Sequence, residues 1–214
     1  MRTEERRNGL ADQSLRDLLT AFSSSSPTPG GGSAAALASA LGASLLMMVA
    51  GLPKTRSGSD DDRAALTLAG GVLADIRERL TGAIDADSAA YDQVVAAYKL
   101  PKASADEQSA RKGAIQRALR AATDVPLGVV RLSAAALDEA ITVARHGYPA
   151  AASDVGAAVA LLRAGARAAR LNVEINTPSI SDAGYADAVA AETARLSEGA
   201  ARAGDDADSL LRQI

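Results

Sequence analysis

Pro27-Thr28-Pro29-Gly30-Gly31-Gly32-Ser33, followed directly by the uncharged run Ala34–Leu52, is the stretch on which the reading of this chain turns. Three successive glycines let a backbone turn with positive φ and approach a ligand closely, because no Cβ intervenes. Ser33 stands where a helix N-cap is expected, and Ala34-Ala35-Ala36 favour a first helical turn. Such a helix turns free N–H groups and the positive end of its dipole toward the loop, a place for a carboxylate or phosphate. A flexible Gly/Ser linker is the alternative, since Ser23–Ser26 precede the glycines. Within the run, Leu37, Leu41, Leu45 and Met48 recur at helical spacing and predict a buried stripe, ending near Gly51-Leu52-Pro53.

Composition points the same way. Apolar residues make up 48% of the 214 residues but aromatics only 2%, so alanine supplies most of the apolar surface. Alanine favours helices and lets them pack closely, which predicts an all-α bundle. No stretch alternates β-branched residues with period two, so no sheet is expected. Small side chains bury little area each, at about 25 cal/mol per Å², so subunit burial, and hence an oligomer, is expected.

The 23 basic and 26 acidic residues are interspersed and leave no basic face for nucleic acid. With no cysteine and a single histidine, His146, no metal site is predicted. Met1–Leu10 is charged and not followed directly by an apolar core, so no signal peptide is expected. Ala34–Leu52 is long enough to span a membrane, but Ala, Ser and Gly dominate it and no Trp or Tyr flanks it. A buried bundle helix is expected there, in a soluble, cytoplasmic protein without a membrane partner.

Outward from the central helix, Leu10–Phe22 reads as a short helix with Leu15, Leu18 and Leu19 on one face. Lys54–Asp62 is a polar connection whose Lys54-Thr55-Arg56 either grips an anion or is simply solvated. A long helix follows from Asp60 to about Tyr98, with Gly70-Gly71 and Gly82 as points where it can kink or be approached. Ser104-Ala105-Asp106-Glu107 is a capping box opening a helix to about Ala121. Asp124-Val125-Pro126 opens another, ending near His146-Gly147. Ser153-Asp154 caps a helix through about Asn176, Thr177-Pro178 breaks it, and Ile180–Leu211 is the last helical region.

Asp87, Tyr91 and Tyr98 share a face of the long helix by spacing. A carboxylate there is either satisfied by a hydrogen bond or, partly buried, raised in pKa toward acid–base use. Asp85 points elsewhere and reads as an exposed carboxylate. Leu100-Pro101-Lys102 closes the helix and can set a cation over the site. Asn172 and Asn176, four apart, either read the edge of a heterocycle or bond between helices. Asp154 and His146 read as charges placed at helix ends.

Five segments resemble the cyclodeaminase/cyclohydrolase family: PTPGGGSAAALASALGASLLMMVAGL (27–52), DADSAAYDQVVAAYKLPK (85–102), AIQRALRAATDVPL (114–127), SDVGAAVALL (153–162) and LNVEIN (171–176). That family includes the C-terminal domain of formiminotransferase–cyclodeaminase and stand-alone bacterial methenyltetrahydrofolate cyclohydrolases. The resemblance implies one domain over residues 1–214, a bundle of long antiparallel helices assembling as a homodimer or higher homo-oligomer. It implies a tetrahydrofolate derivative as the small-molecule substrate, with no tightly bound cofactor. Formimino-tetrahydrofolate would be cyclised with loss of ammonia, or methenyl-tetrahydrofolate opened by water. The family's aspartate pattern falls on Asp87 as the acid–base group, with Asp154 and Lys102 as further catalytic candidates. Pro29, Gly30, Gly31, Gly32, Ser33, Tyr91, Tyr148, Asn172 and Asn176 are the candidate substrate-binding residues.

One departure stands out: Tyr148 and Ala150 occupy positions where the family is expected to carry asparagines. It keeps open two other readings, a relative acting on a non-folate imine or amidine ring, and a helical binding module without turnover. A purely structural oligomer would account for the alanine-rich helices but not for Gly30-Gly31-Gly32 together with Asp87.

Overall fold

The structure, a computed structural model, describes residues 9–213. The expectation about a signal peptide at the N-terminus falls largely on residues 1–8, outside those described. Among the described residues there are six α-helices and no strand: α1 (Leu15–Phe22), α2 (Gly31–Ala50), α3 (Asp60–Tyr98), α4 (Ala105–His146), α5 (Ala152–Asn176) and α6 (Ala183–Leu211). The all-α expectation holds. Side chains start several helices as their sequences predict. Ser14, Ser59 and Asp182 each accept from a first-turn N–H, and Ser104 with Glu107 forms the reciprocal capping box.

The central helix α2 packs against α3, α4 and α5. By length and composition it is apolar enough to cross a membrane, yet 56% of that stretch is buried inside the bundle. Its inward face is only in part the stripe the spacing predicts, with Leu37 and Leu45 half-buried against the core. Leu41 and Met48 are 51% and 43% exposed, while Ala35, Ala36, Ala43, Leu46 and Val49 are buried. Small residues face inward because they let the neighbouring helices come close. At Gly165 of α5 a Cβ would lie 2.8 Å from the Ala35 carbonyl oxygen, so only glycine permits that approach. The buried hydroxyls at this contact are satisfied, Ser39 bonding to Ser133 at 2.7 Å and Ser133 to the Val129 carbonyl. Leu66, Leu73 and Leu80 of α3, Leu137 of α4 and Leu162 of α5 supply the bulk of the core.

Other expectations need correction. The first segment divides into a 3-10 turn at Leu10–Asp12 and α1, and only Leu18 of its three leucines is buried. Helix α2 begins at Gly31 with Gly30 as its cap, so Ser33 lies inside the helix rather than before it. Helix α3 runs through Gly70-Gly71 and Gly82 without interruption. Helix α4 is continuous through Pro126, where two helices were expected. Helix α5 starts at Ala152 without a side-chain cap, and α6 starts at Ala183.

At the far end of α2 from the glycines, the polar connection is tied down. Arg63 donates to the carbonyls of Ala50 and Leu52, and Arg56 to that of Ala144, so both cations serve helix C-termini. Lys54 lies 5.3 Å from the centre of the Tyr148 ring. His146 does more than face a dipole, since its Nδ1 is 2.7 Å from Asp62 Oδ1.

Candidate active site

Asp87 reaches from α3 to the start of α2 and takes the place of the side-chain cap that Gly30 lacks. Its Oδ2 accepts the Ser33 N–H at 2.9 Å. Ser33 Oγ lies 3.1 Å from the same oxygen and 2.8 Å from the Ile84 carbonyl, so its single proton serves one of them at a time. Gly32 makes this approach possible, because a Cβ there would sit 2.8 Å from Asp87 Oδ2 and closer still to Oδ1. The glycine run is therefore a helix start pressed against a carboxylate, which excludes a flexible linker.

Burial pushes the Asp87 pKa up, and the two bonds from Ser33 partly oppose that shift. Oδ1 has no donor among the described residues. Asp87 lines a cavity of about 320 Å³, within the range of small-molecule sites. Gly30, Gly31 and Gly32 form one wall of that cavity, together with Pro27 and Thr28. The first bond of α2 runs from the Ala34 N–H to the Gly30 carbonyl, so the N–H groups of Gly31 and Gly32 have no partner among the described residues and are open to a ligand. Tyr91 and Val94 of α3, Leu119 and Ala122 of α4, and Asn172, Ile175 and Asn176 of α5 complete the lining.

Seven of the twelve candidate residues thus meet at one cavity: Gly30, Gly31, Gly32, Asp87, Tyr91, Asn172 and Asn176. Ser33 is wholly buried behind it and holds Asp87, and Pro29 lies in the adjoining loop after a cis Thr28–Pro29 bond. The remaining three do not join them within the chain. Lys102 is exposed in the loop between α3 and α4 and is absent from the cavity wall. Asp154 lies eighteen residues before Asn172 on α5, about 27 Å along the helix axis. Tyr148 stands with Lys54 and Arg63 at the opposite end of the bundle. The departure from the family pattern at Tyr148 and Ala150 therefore leaves this cavity untouched.

Tyr98 also falls outside, stacked near Arg111 instead. Asp85 is not a free carboxylate, since it accepts the Leu10 and Ala11 N–H groups and pins the 3-10 turn to α3. Spacing alone could have supplied Val94 and Ile175, seven after Asp87 and three after Asn172 on the same helix faces. Leu119 and Ala122 carried no such signal.

Fold and cavity define an all-helical bundle with a ligand-sized polar site at one end. Residues 14–195 match the formiminotransferase-cyclodeaminase family, and the chain belongs to it. It is 39% identical over 176 residues to a methenyltetrahydrofolate cyclohydrolase of Methylorubrum extorquens, covering 82% of this chain and 85% of that protein. It is 30% identical to the formimidoyltransferase-cyclodeaminase of Sus scrofa over 81% of this chain, but spans only 32% of that longer protein. The crystal structure of formiminotetrahydrofolate cyclodeaminase from Thermotoga maritima superposes with a TM-score of 0.84 at 26% identity, covering 94% of this chain and 97% of that one.

Proposed function

We propose that this chain, acting as one domain, is a folate-dependent C–N ring enzyme that opens methenyl-tetrahydrofolate with water. The observation carrying the reading is Asp87, a carboxylate raised in pKa that has donors on one oxygen only and lines a cavity at a helix N-terminus. The extent of the match to the Methylorubrum cyclohydrolase favours water addition over ammonia loss.

The reacting carbon bridges two nitrogens and carries their shared positive charge, so a nearby carboxylate stabilises it and can take a proton from attacking water. The proton removed from water passes to the departing ring nitrogen as the C–N bond breaks, and the hydroxyl left on the carbon gives its own proton to solvent, leaving a formyl group on the other nitrogen. A group that gives up and regains a proton near neutral pH suits both halves, and burial moves Asp87 toward that range. The free N–H groups at the start of α2 hold an electron-rich ligand atom beside it.

A homo-oligomer is part of this reading. Leu41 and Met48 of α2 and Leu68 and Val72 of α3 are exposed apolar side chains on neighbouring helices, a face suited to a second copy. Loss of the methenyl absorbance on adding protein, set beside Asp87→Asn, tests the reaction. Wild-type turnover that the substitution removes is the expected result. Folate binding without turnover would leave a binding module, and failure to bind folate would turn attention to another ring.

A further inference from the structure

Pro126 sits inside α4, where a proline has no N–H for the carbonyl four residues back. That carbonyl belongs to Ala122, on the cavity wall, and it is taken instead by Asn176 Nδ2, which donates to it from α5 at 2.9 Å. A carbonyl oxygen can only accept, so the amide edge facing it must be the NH₂ edge, and the flip otherwise open to an asparagine is closed. Asn176, which lines the cavity, thereby keeps its Oδ1 as an acceptor with no donor among the described residues. Asn172 is held in the same sense, its Nδ2 bonded to the Ala168 carbonyl at 2.9 Å. Both amides therefore keep an oxygen without a donor among the described residues, as Asp87 does.

We propose that Pro126 is a positioning residue for substrate recognition: by freeing the Ala122 carbonyl it locks Asn176 with its oxygen toward the ligand. The Oδ1 atoms of Asn172 and Asn176 then accept from a ligand edge that carries N–H donors. Naming that edge as the amino-pyrimidine part of a reduced folate rests on the function proposed above. The orientation of the amide does not.

Pro126→Ala gives the Ala122 carbonyl a helix N–H that competes with Asn176 Nδ2 and so weakens the lock. The Asn176 side-chain amide signals in a ¹⁵N-correlated spectrum, assigned by their disappearance in Asn176→Ala, should move to ordinary solvent-exposed positions in Pro126→Ala. The KM for methenyl-tetrahydrofolate should rise about tenfold, the size of one lost hydrogen bond, while kcat changes less than about threefold. Because alanine is the better helix residue, the variant should melt no lower than wild type. The double variant should be no worse than Asn176→Ala alone, since both changes act through one amide.

Unmoved amide signals, or effects of the two substitutions that multiply, would overturn the proposal. So would a lower melting temperature with kcat and KM degraded together, the mark of a merely structural proline. If wild-type protein leaves methenyl-tetrahydrofolate unchanged, the function reading fails, and the amide signals still decide the role of Pro126.

Discussion

Helix α3 carries two inward-facing aspartates at opposite ends of the bundle, and their surroundings differ in kind. Asp62 is saturated. One oxygen meets His146 at 2.7 Å, and the other accepts the N–H and hydroxyl of Ser57, both at 2.7 Å. These bonds, the one to His146 foremost, hold its pKa well below the usual carboxylate range. Asp87 lies about 37 Å further along the same axis. It has donors on one oxygen only and is pushed the other way by burial. A carboxylate with both oxygens engaged closes a joint between α3 and α4. One left half-engaged beside a cavity retains a proton site for chemistry.

The largest effect should separate the two in turnover. Asp87→Asn keeps the shape and an acceptor for the Ser33 N–H but loses the proton site. Its kcat on methenyl-tetrahydrofolate should fall by about 10²- to 10⁴-fold, the usual range for a general acid or base, measured by the methenyl absorbance. Asp62→Asn should leave kcat within about twofold and lower the melting temperature instead. Equal losses of turnover from both would dissolve the distinction.

Next in size is Gly32→Ala. The added methyl must displace the Asp87 carboxylate, so kcat should drop by at least about tenfold with a fall in melting temperature, as for a small-to-large change in a packed site. Gly71→Ala is the matched control. A Cβ there meets nothing within 4 Å, and the helix should gain roughly 0.5–1 kcal/mol in thermal unfolding.

Acid should then act on the two aspartates with opposite sign. Asp62 binds its proton less readily folded than unfolded. Its contribution is complete above the unfolded value of about 3.9 and is lost as pH falls below it. Asp87 binds its proton more readily folded, so its contribution grows as pH falls through its raised pKa. Acid unfolding followed by circular dichroism should therefore be less steep below pH 4 in Asp62→Asn, whereas Asp87→Asn should lose the stabilisation gained as pH falls toward 4.

How far the sequence announced this arrangement depends on whether the deciding contact is local. Ser104 and Glu107 are three apart, so their capping box could be read directly. Asp87 and Tyr91 are four apart on one helix and were read as sharing a face. The partners of Asp85 lie 75 and 74 residues away, and nothing in its neighbourhood hints at them. Pro126 was misread because an isolated helix would break there. The interruption is tolerated with a partner 54 residues distant, Asn176, on another helix. Spacing points Leu41 and Met48 of α2 to the core, whereas close helix approach puts alanine, glycine and serine there. Small residues announce helix packing only once the partner helix is known.

The smallest effect sharpens the contrast most, because it changes the environment of Asp87 without touching the carboxylate. Ser33→Ala removes the hydroxyl and keeps the backbone N–H, so Asp87 loses the larger of the two bonds that oppose its upward shift. Its pKa should rise further. If Asp87 must be ionised to accept a proton from water, the acid limb of the kcat profile should move to higher pH, with the plateau rate changed little. The same deletion at the saturated end, Ser57→Ala, should leave that limb where it is, because Asp62 takes no part in turnover. A Ser33→Ala profile that loses plateau rate without moving its limb would mean that Ser33 shapes the start of α2 and has no hold on the proton of Asp87.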